Sequence, residues 1–563
     1  MDSVIPPGLF LIICAPILAL ASQSALRRPL MLIIPLMALG LVWMVPDGPV
    51  ITASFMGFEL IPLRGDALSR LFGTIFTLMG FAGGLFAFKQ KSTTELVAAL
   101  FYMGSAVGVV MAGDLITMFI FWEMMAIGST LVIRSANTPG AIKASMRYLK
   151  IHLLGGVILM AGLAGYLGEG NPVLFEAMSL NSVSTWLILI GFLVNVGAPP
   201  FSAWLPDAYP EASFSGSVFL SAFTTKTAVY VLIRGFPGEE VLIYFGLYMV
   251  FYGIIYALLE NDMRRILAYS IINQVGFMVT GIGIGTQMAL NGAASHAFAH
   301  IIYKALLLMS AGAVFYRTGK RKCTDLGGLF QSMPVTAICG TIGALAISSF
   351  PFTSGFVSKS MIAQAAADQH MAYVWYFLEA ASAGVFLHAG IKFPWFVFFQ
   401  KDSGMRPPDP PVSMQSAMIL LATLCIVIGL FPEQLYALLP YQVDYVPYTV
   451  THVVNMLQLL LMAGLAFFVM LPMMKRTLTI SLDFDWFYRR LFPALFDLLG
   501  RIIYPIYGRV IDLFKNRLDR LISLVERYNG VDGILARTVS TNSAGALGLI
   551  VLALCLGIFY QMQ

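Results

Sequence analysis

Long apolar runs separated by short polar segments dominate this chain of 563 residues. Most runs are about 18–22 residues long, enough for a helix to cross the ~30 Å hydrocarbon core of a bilayer. About sixteen spans are predicted by this pattern. Their approximate positions are 8–22, 29–45, 67–88, 95–112, 114–133, 148–168, 183–200, 213–233, 241–259, 266–285, 288–316, 332–350 continuing to 367, 372–400, 413–431, 450–472 and 541–560. The predicted fold is an all-α polytopic membrane protein with about 14–16 transmembrane helices.

Two spans are interrupted in related ways. Residues 195–212 (NVGAPPFSAWLPDAYPEA) contain four prolines and Gly197, and residues 346–362 (AISSFPFTSGFVSKSMI) contain Pro351 and Gly355. Proline breaks a helix, and unwound backbone at membrane depth must be buried in protein or line a hydrated cavity. The second break comes five spans after the first. Since five is odd, the pattern predicts two inverted five-helix repeats, an arrangement typical of transporters.

Residues 477–530 differ from the spans. Arg, Lys and Asp alternate there with apolar residues at helical spacing, which predicts an amphipathic lateral helix that lies along the membrane surface or braces other helices. The predicted organisation is N-terminal helices at 1–94, a first repeat at 95–233, a second inverted repeat at 241–400, C-terminal helices at 413–472, the lateral helix at 477–530 and a final span at 541–560.

Composition and charge support a membrane location. Hydrophobic residues make up 58% of the chain and charged residues only 11%, against roughly 25% charged in soluble proteins. Lys and Arg concentrate in alternate loops, with Arg234 the main exception. The positive-inside rule then predicts cytoplasmic basic loops, an external N-terminus and a cytoplasmic position for residues 477–530. We expect a bacterial inner membrane, and the net charge of +5 requires no nucleic acid partner.

Cysteine usage gives no sign of a metal or cofactor. The five cysteines are isolated, without a CxxC pair or a His/Cys cluster at metal spacing. The glycine-rich GIGIG at 281–285 ends a span instead of joining a strand to a helix, so it does not predict dinucleotide binding. We therefore expect no cofactor, no metal and no enzymatic activity in this chain.

Several ionisable residues lie inside the predicted spans, where one charge costs about 2.5–3.5 kcal/mol on insertion scales. Such residues are rare and usually functional. Three of them recur at i, i+4 and i+8 on one helix face. The candidate site residues are Glu123, Lys226, His296, His300, Lys304, Lys359 and Lys392, with Asp114, Asn195, Asn273 and Glu379 as secondary polar candidates.

These residue types are suited to proton relay. Histidine exchanges protons near neutral pH, and burial brings lysine into that range. A carboxylate that approaches or leaves a lysine switches its proton affinity, so we expect Glu123 and Lys226 to form a pair. The alternatives are structural: a static ion pair, hydrogen bonds between helices around His296 and His300, or a helix cap by Lys359.

Six motifs in order carry a resemblance to a known family: FWEMM, WLPDAYPEA, TKTAVYVLIR, NDMRRILAYS, HAFAHIIYKALLLMSAG and FPFTSGFVSK. They resemble the proton-conducting antiporter-like subunits shared by respiratory complex I and Mrp-type Na+/H+ antiporters, and within that family the D-type Mrp antiporter subunits are most similar. The resemblance is strong over residues 60–400. It implies a fourteen-helix core, two inverted repeats and a polar axis along the membrane midplane.

The resemblance also implies roles for individual residues. Glu123 would modulate Lys226, His300 and Lys304 would connect the two halves, and Lys359 would stand beside the second broken helix. Lys392 is similar to a lysine of the antiporter branch. The chain departs from the family at Asn195, where many members have lysine, and at Arg264/Arg265 and Asn273/Gln274, where many members have a Lys-Arg pair followed by Ser-His.

The function implied is that of one component of a multi-subunit Na+/proton antiporter, with other membrane subunits as partners. The alternative left open is a proton-translocating membrane-arm component of a complex I-like, hydrogenase-like or bicarbonate-accumulating complex. A scaffold with vestigial charges is a third, non-transport hypothesis.

Overall fold

The computed structural model describes residues 4–21, 26–472, 483–530, 533 and 540–562. The chain divides into two compact units, Met1–Asp485 and Trp486–Gln563. Up to the first interruption the helices are α1 (Pro7–Leu20), α2 (Arg27–Met44), α3 (Ala67–Phe86), α4 (Thr93–Met111), α5 (Leu115–Arg134), α6 (Pro139–Gly168) and α7 (Val183–Val196). From there to the second interruption they are α8 (Trp204–Ala208), α9 (Gly216–Ala222), α10 (Thr224–Gly235), α11 (Val241–Leu259), α12 (Met263–Ile284), α13 (Gln287–Thr318) and α14 (Pro334–Ile347).

The remaining helices follow the second interruption. They are α15 (Ser354–Asp368), α16 (Ala372–Val385), α17 (Val412–Leu430), α18 (Glu433–Tyr436), α19 (Val450–Val469), α20 (Phe492–Asn529) and α21 (Thr541–Gln561). Helix α16 continues as π-helical segments at Phe386–Lys392 and Trp395–Phe399. In the described part of the chain, 13 helical segments are long and apolar enough to cross a membrane, with shorter apolar helices α1, α7 and α14 beside them. The prediction of an all-α polytopic membrane protein is confirmed.

Close helix packing in the first unit depends on small residues, as is common in membranes. Helices α1 and α4 meet at Gly8, Gly104 and Gly108. A Cβ at Gly8 or Gly104 would overlap atoms of the other helix, backbone included. The apolar periodicity alone does not reveal this contact, because Gly is neither clearly apolar nor clearly polar in the pattern.

A β-hairpin in the loop before α3 was not predicted. Strands β1 (Gly48–Phe55) and β2 (Phe58–Gly65) pair antiparallel, joined by Met56 and Gly57, both at positive φ. Positive φ at both central residues is the geometry of a two-residue hairpin turn whose twist matches that of the strands. The charge pattern marked this stretch only as a loop low in Lys and Arg, because span prediction does not search for short strands.

Both predicted interruptions are present. Helix α7 ends at Val196 with Gly197 in the left-handed region at φ 82°, which terminates the helix without steric cost. Helix α14 ends at Ile347, and Ser349 and Phe352 also have positive φ before α15 begins. The inverted symmetry of the repeats and the domain boundaries remain predictions.

Arg234, the exception to the charge rule, is neutralised locally. Its Nη2 lies 2.6 Å from Asp66 Oδ2, and its guanidinium packs over the Tyr230 ring. Asp66 also caps α3 by accepting a hydrogen bond from Ser69 N. A paired arginine carries little net positive charge, so Arg234 does not contradict the predicted orientation.

The second unit contains α20 and α21. No residue of either helix is buried within the unit. Of the predicted lateral helix at 477–530, residues 477–482 lie outside the described residues. The rest contains the π-helical segment Phe487–Leu491 and then α20, which runs for 38 residues with Pro505 inside it. The predicted amphipathic helix is therefore present between 487 and 529.

Candidate functional site

Lys226 lies at a discontinuity between α9 and α10. Phe223 separates the two helices with φ −104° and ψ −70°, which leaves the Ser221 carbonyl free of a regular helical partner. The Lys226 Nζ donates to this carbonyl at 2.6 Å and to Thr225 Oγ1 at 3.1 Å. The side chain is fully buried. The lysine is therefore held by neutral dipoles at a break in the helix.

Glu123 does not pair with Lys226 in this structure, contrary to the expectation from sequence. Neither residue takes part in an ion pair among the described residues. The Glu123 carboxylate packs instead against α6 at Gly156, where a Cβ would overlap it, and its Oε1 has no hydrogen-bond partner in the described part of the chain. Sequence spacing could not settle this, since it fixes positions along helices but not how α5 is rotated relative to α10.

The shared face of α13 lies in the interior, as its spacing predicted. His296, His300 and Lys304 are all 0% exposed. Both ring nitrogens of His300 and the Nζ of Lys304 lack hydrogen-bond partners among the described residues. A buried polar group left unsatisfied costs about 1–3 kcal/mol, more when charged. Leaving these nitrogens without hydrogen bonds would be costly if the residues had only a structural role. The arrangement suits groups that exchange a mobile proton.

His296 is instead fully hydrogen bonded. Its Nε2 lies 3.1 Å from Gln274 Oε1 and its Nδ1 lies 3.1 Å from Ser358 Oγ. Gln274 Nε2 donates to Asn273 Oδ1 at 2.5 Å, and the Tyr303 hydroxyl donates to Gln274 Oε1 at 3.1 Å. A hydrogen-bonded network thus joins α12, α13 and α15. The sequence pointed to His296 and Asn273 but not to Gln274, Tyr303 or Ser358 as site residues.

Lys359 stands at the second interruption. Its Nζ lies 3.4 Å from the carbonyl of Ile347, the last residue of α14, and 4.8 Å from the centre of the Phe277 ring. A cation is favoured at a helix C-terminus and over an aromatic face. Glu379 on α16 interacts electrostatically with Lys359. The lysine therefore has stabilising neighbours without a direct ion pair in the described part of the chain.

Two other candidates have clear structural contacts. Lys392 Nζ donates to the carbonyls of Ala257, Leu258 and Glu260 at 3.0, 2.5 and 2.6 Å, which caps the C-terminus of α11. Asp114 caps α5 by accepting from Thr117 N at 2.7 Å and also accepts from the hairpin at Ile61 N. These contacts explain both positions as helix caps, whereas the sequence suggested places on or near the polar axis.

The buried cations and histidines form one electrostatically connected row. The charges of Lys226, Lys304 and Lys359 all act on His300, and those of Lys226 and Lys359 also act on His296. All five side chains are at most 2% exposed. The structure thus brings Lys226, His296, His300, Lys304 and Lys359 together, and leaves Glu123 and Lys392 on other contacts.

The first interruption also contains a polar group that the sequence pattern did not single out. His152 on α6 is 1% exposed, and its Nδ1 lies 2.7 Å from Asn195 Oδ1. Asn195 was a secondary candidate, whereas His152 received no role. The only sequence signal was a histidine within a span, and its partner lies 43 positions further along the chain.

In the described ranges, no group of three or more His, Cys, Asp or Glu side chains is placed to hold a metal ion. The buried groups of the row are nitrogen bases, and the hydroxyls of Tyr303 and Ser358 lie beside them; both kinds of group exchange protons readily. Chemically, the arrangement can take up, hold and pass protons.

Comparison with known proteins agrees with this chemistry. A family model described as "NADH:quinone oxidoreductase/Mrp antiporter, TM" matches residues 112–386, which include both interruptions and all the residues of the row. The match covers just under half of the chain, and it confirms over residues 112–386 the resemblance seen in the sequence.

Two relatives indicate which kinds of membrane protein resemble this chain. A probable K+/H+ antiporter component of the A/B type from Rhizobium meliloti is 29% identical over 66% of this chain and 40% of its own length. An Na+/H+ antiporter component of the D type from Alkalihalophilus pseudofirmus is 29% identical over 58% of this chain and 68% of its own. The match thus spans less than half of the first relative and about two thirds of the second.

Two solved structures share the fold. A chain of the Mrp complex from Dietzia sp. DQ12-45-1b superposes with a TM-score of 0.68 at 21% identity, over 77% of this chain and 95% of that one. A chain of the membrane-bound sulfane sulfur reductase, described as an archaeal respiratory membrane complex, gives 0.69 at 26% identity with the same coverage. Both are chains of membrane complexes.

Proposed function

We propose that this chain is one component of a multi-subunit monovalent cation/proton antiporter and relays protons along the buried row from Lys226 to Lys359. The observation that carries the proposal is His300 and Lys304, buried side by side with no hydrogen-bond partner for their side-chain nitrogens among the described residues. Such groups are costly in a static core. They suit a site where protons arrive and leave.

The residues of the row have different roles, which depend on their positions. Lys226 rests on dipoles at the α9–α10 break, so a small rearrangement there changes how well its charge is stabilised. His300 and Lys304 follow His296 on the same face of α13, with the His296 and His300 ring centres 6.2 Å apart. Lys359 ends the row at the second interruption. Moving one proton along the row raises the cost of charge at the next lysine, because like charges in a low dielectric repel strongly. Each step therefore favours release further along.

We infer the coupling to a cation and the membrane partners of this chain from its relatives. By their names, the antiporter components described above exchange Na+ or K+ for protons. We assign the same class of transport to this chain, within an assembly of membrane subunits. We further propose that the basic loops lie on the cytoplasmic side of a bacterial inner membrane. The chain acts in transport and not as an enzyme.

Everted membrane vesicles test the proposal. A strain that lacks the chain is complemented with the wild-type chain or with Lys304→Met, and Na+ or K+ is added after a pH gradient has been established. We expect the wild type to dissipate the gradient on cation addition and Lys304→Met to lose that response while the complex still assembles. An equal, cation-independent gradient in both would contradict an antiporter.

A second candidate function has its own support. The sulfane sulfur reductase chain is as similar in fold as the Mrp chain and more similar in sequence. In this alternative, the chain is the proton-translocating arm of a redox-driven complex. Purifying the tagged chain in mild detergent and identifying its partners by mass spectrometry separates the two: hydrophobic antiporter components alone support the first, and a soluble iron–sulfur or flavin protein supports the second.

A further inference from the structure

We propose that His152 is a proton-accepting group of the first interruption and exchanges protons with the region of Lys226. This inference rests on the proposed function and extends it to a residue outside the row. His152 is 1% exposed on α6, and its partner Asn195 lies one residue before the end of α7. The pair therefore sits where the first broken helix opens.

The hydrogen bond between the two side chains fixes the state of the ring. The carboxamide oxygen of Asn195 can only accept, so His152 Nδ1 carries the hydrogen and donates it over 2.7 Å. In the neutral ring Nε2 then presents a free lone pair. That Nε2 is buried and has no hydrogen-bond partner among the residues the structure describes, and the same is true of Asn195 Nδ2. The ring is thus oriented with its basic atom unsatisfied.

Aromatic contacts hold the ring in place. The His152 ring centre lies 4.0 Å from that of Tyr148 and 4.7 Å from that of Trp204. Trp204 is itself fixed, because its Nε1 donates to the Val194 carbonyl at 2.9 Å. An imidazolium beside aromatic faces is stabilised by cation–π attraction. These rings therefore offset part of the cost of charging the buried histidine.

The polar and charged groups around the pair come from the helices packed against α6. Glu123 of α5 packs against Gly156, one turn beyond His152 on α6. On α8, Asp207 is bound by Arg147 of α6 and contributes little net charge. Helix α7 contributes the neutral Asn195. Glu123 is thus the acidic residue of α5, α7 and α8 that has no ion pair in the described structure, and its carboxylate favours proton uptake on α6.

Hydroxyl groups link Tyr148, whose ring packs against that of His152, to residues beside Lys226. The Tyr148 Oη lies 3.3 Å from Thr224 Oγ1 and donates to Ser129 Oγ at 3.0 Å. Thr224 Oγ1 also lies 2.5 Å from Tyr102 Oη. Thr224 is two positions before Lys226, whose Nζ contacts the intervening Thr225 Oγ1. Buried hydroxyls both donate and accept, so they pass a proton without a net change.

The step itself is simple. Nε2 of His152 takes up one proton to give the imidazolium, and releasing one proton restores the neutral ring with no other bond made or broken. The second broken helix, α14, follows α13, which carries His296 and His300, just as the first, α7, follows α6 with His152. Each broken helix is therefore preceded by a long helix with a buried histidine.

The test compares three variants of the assembled complex in everted vesicles across a pH series. His152→Gln keeps a hydrogen-bonding side chain but cannot carry a proton, and we expect cation-driven proton movement to fall about tenfold or more. Asn195→Ala keeps the histidine but frees its ring, and we expect a changed pH profile. His452→Gln is the matched control, a histidine whose Nδ1 bonds the Pro447 carbonyl, and we expect wild-type rates.

The outcomes separate this inference from the proposed function. If the wild type transports and His152→Gln has the same rate and pH profile, the role of His152 is overturned but the proposed function is not. Absence of cation-driven proton movement in the wild type would overturn both. If His152→Gln does not assemble, Asn195→Ala decides: an assembled Asn195→Ala complex with the wild-type pH profile contradicts the inference, and a shifted profile supports it.

Discussion

An ion pair with a buried carboxylate helps to hold the short helix α8, and breaking that pair should loosen the first interruption. Arg147 Nε and Nη2 lie 2.7 and 2.8 Å from the two carboxylate oxygens of Asp207. The Asp207 side chain is 2% exposed and that of Arg147 26%. Removing one partner of a buried pair costs about 3–5 kcal/mol. Because Arg147 can still reach water, we expect about 2–3 kcal/mol for Asp207→Ala.

That magnitude converts into a measurable change in local opening. Since 1.4 kcal/mol is tenfold in an equilibrium constant, protection of the α8 amides from hydrogen exchange should fall roughly 30- to 150-fold. Hydrogen–deuterium exchange with mass spectrometry on the purified complex measures this for peptides covering residues 198–212. Peptides from α17 serve as the internal control.

A double-mutant cycle tests the cause. If the pair is what holds α8, Arg147→Ala and Asp207→Ala should each loosen it, and the double variant should cost much less than their sum. Additive effects, or a change below about threefold in Asp207→Ala, would refute the reasoning. Because α8 carries Trp204, the same variant should also disturb the contact between the Trp204 and His152 rings.

Three further predictions follow from single contacts. Burial raises the pKa of Asp66, but the charge of Arg234 and the hydrogen bond from Ser69 N outweigh burial and hold that pKa below its usual 3.8. The stabilisation is therefore present at neutral pH and lost below about pH 4; thermal unfolding of Asp66→Asn should lack this acid-dependent loss. Gly156→Val should displace the Glu123 carboxylate and slow transport. Gly168→Val is the control, because a Cβ there has open space, and it should leave the transport rate unchanged. Lys392→Met should weaken hydrogen-exchange protection at the end of α11 more than it lowers transport, and the reverse order would assign Lys392 to the proton path.

The membrane fold was predictable because its main determinants are local. Apolar run length marked the spans, and the proline and glycine residues near Gly197 and Pro351 marked both interruptions. The hairpin at 48–65 was missed because its strands are too short to produce a span signal. Its turn at Met56 and Gly57 depends on backbone conformations that a hydropathy pattern does not contain.

The candidate site was only partly predictable, for a similar reason. The spacing of His296, His300 and Lys304 placed all three on one buried face, because helical periodicity alone decides that. The partner of Glu123 and the capping role of Lys392 depend on how separate helices are rotated and packed. The sequence therefore identified the ionisable residues but not their neighbours.

Substituting Lys226 tests the relay account at its first group. Its Nζ is bound only by neutral acceptors in the described structure, so Lys226→Ala removes a charge without orphaning a charged partner, and assembly should persist. Cation-driven proton movement by the reconstituted wild-type and Lys226→Ala complexes is the quantity to measure. We expect an assembled Lys226→Ala complex with transport abolished. An assembled complex that transports at the wild-type rate would contradict the proposed relay.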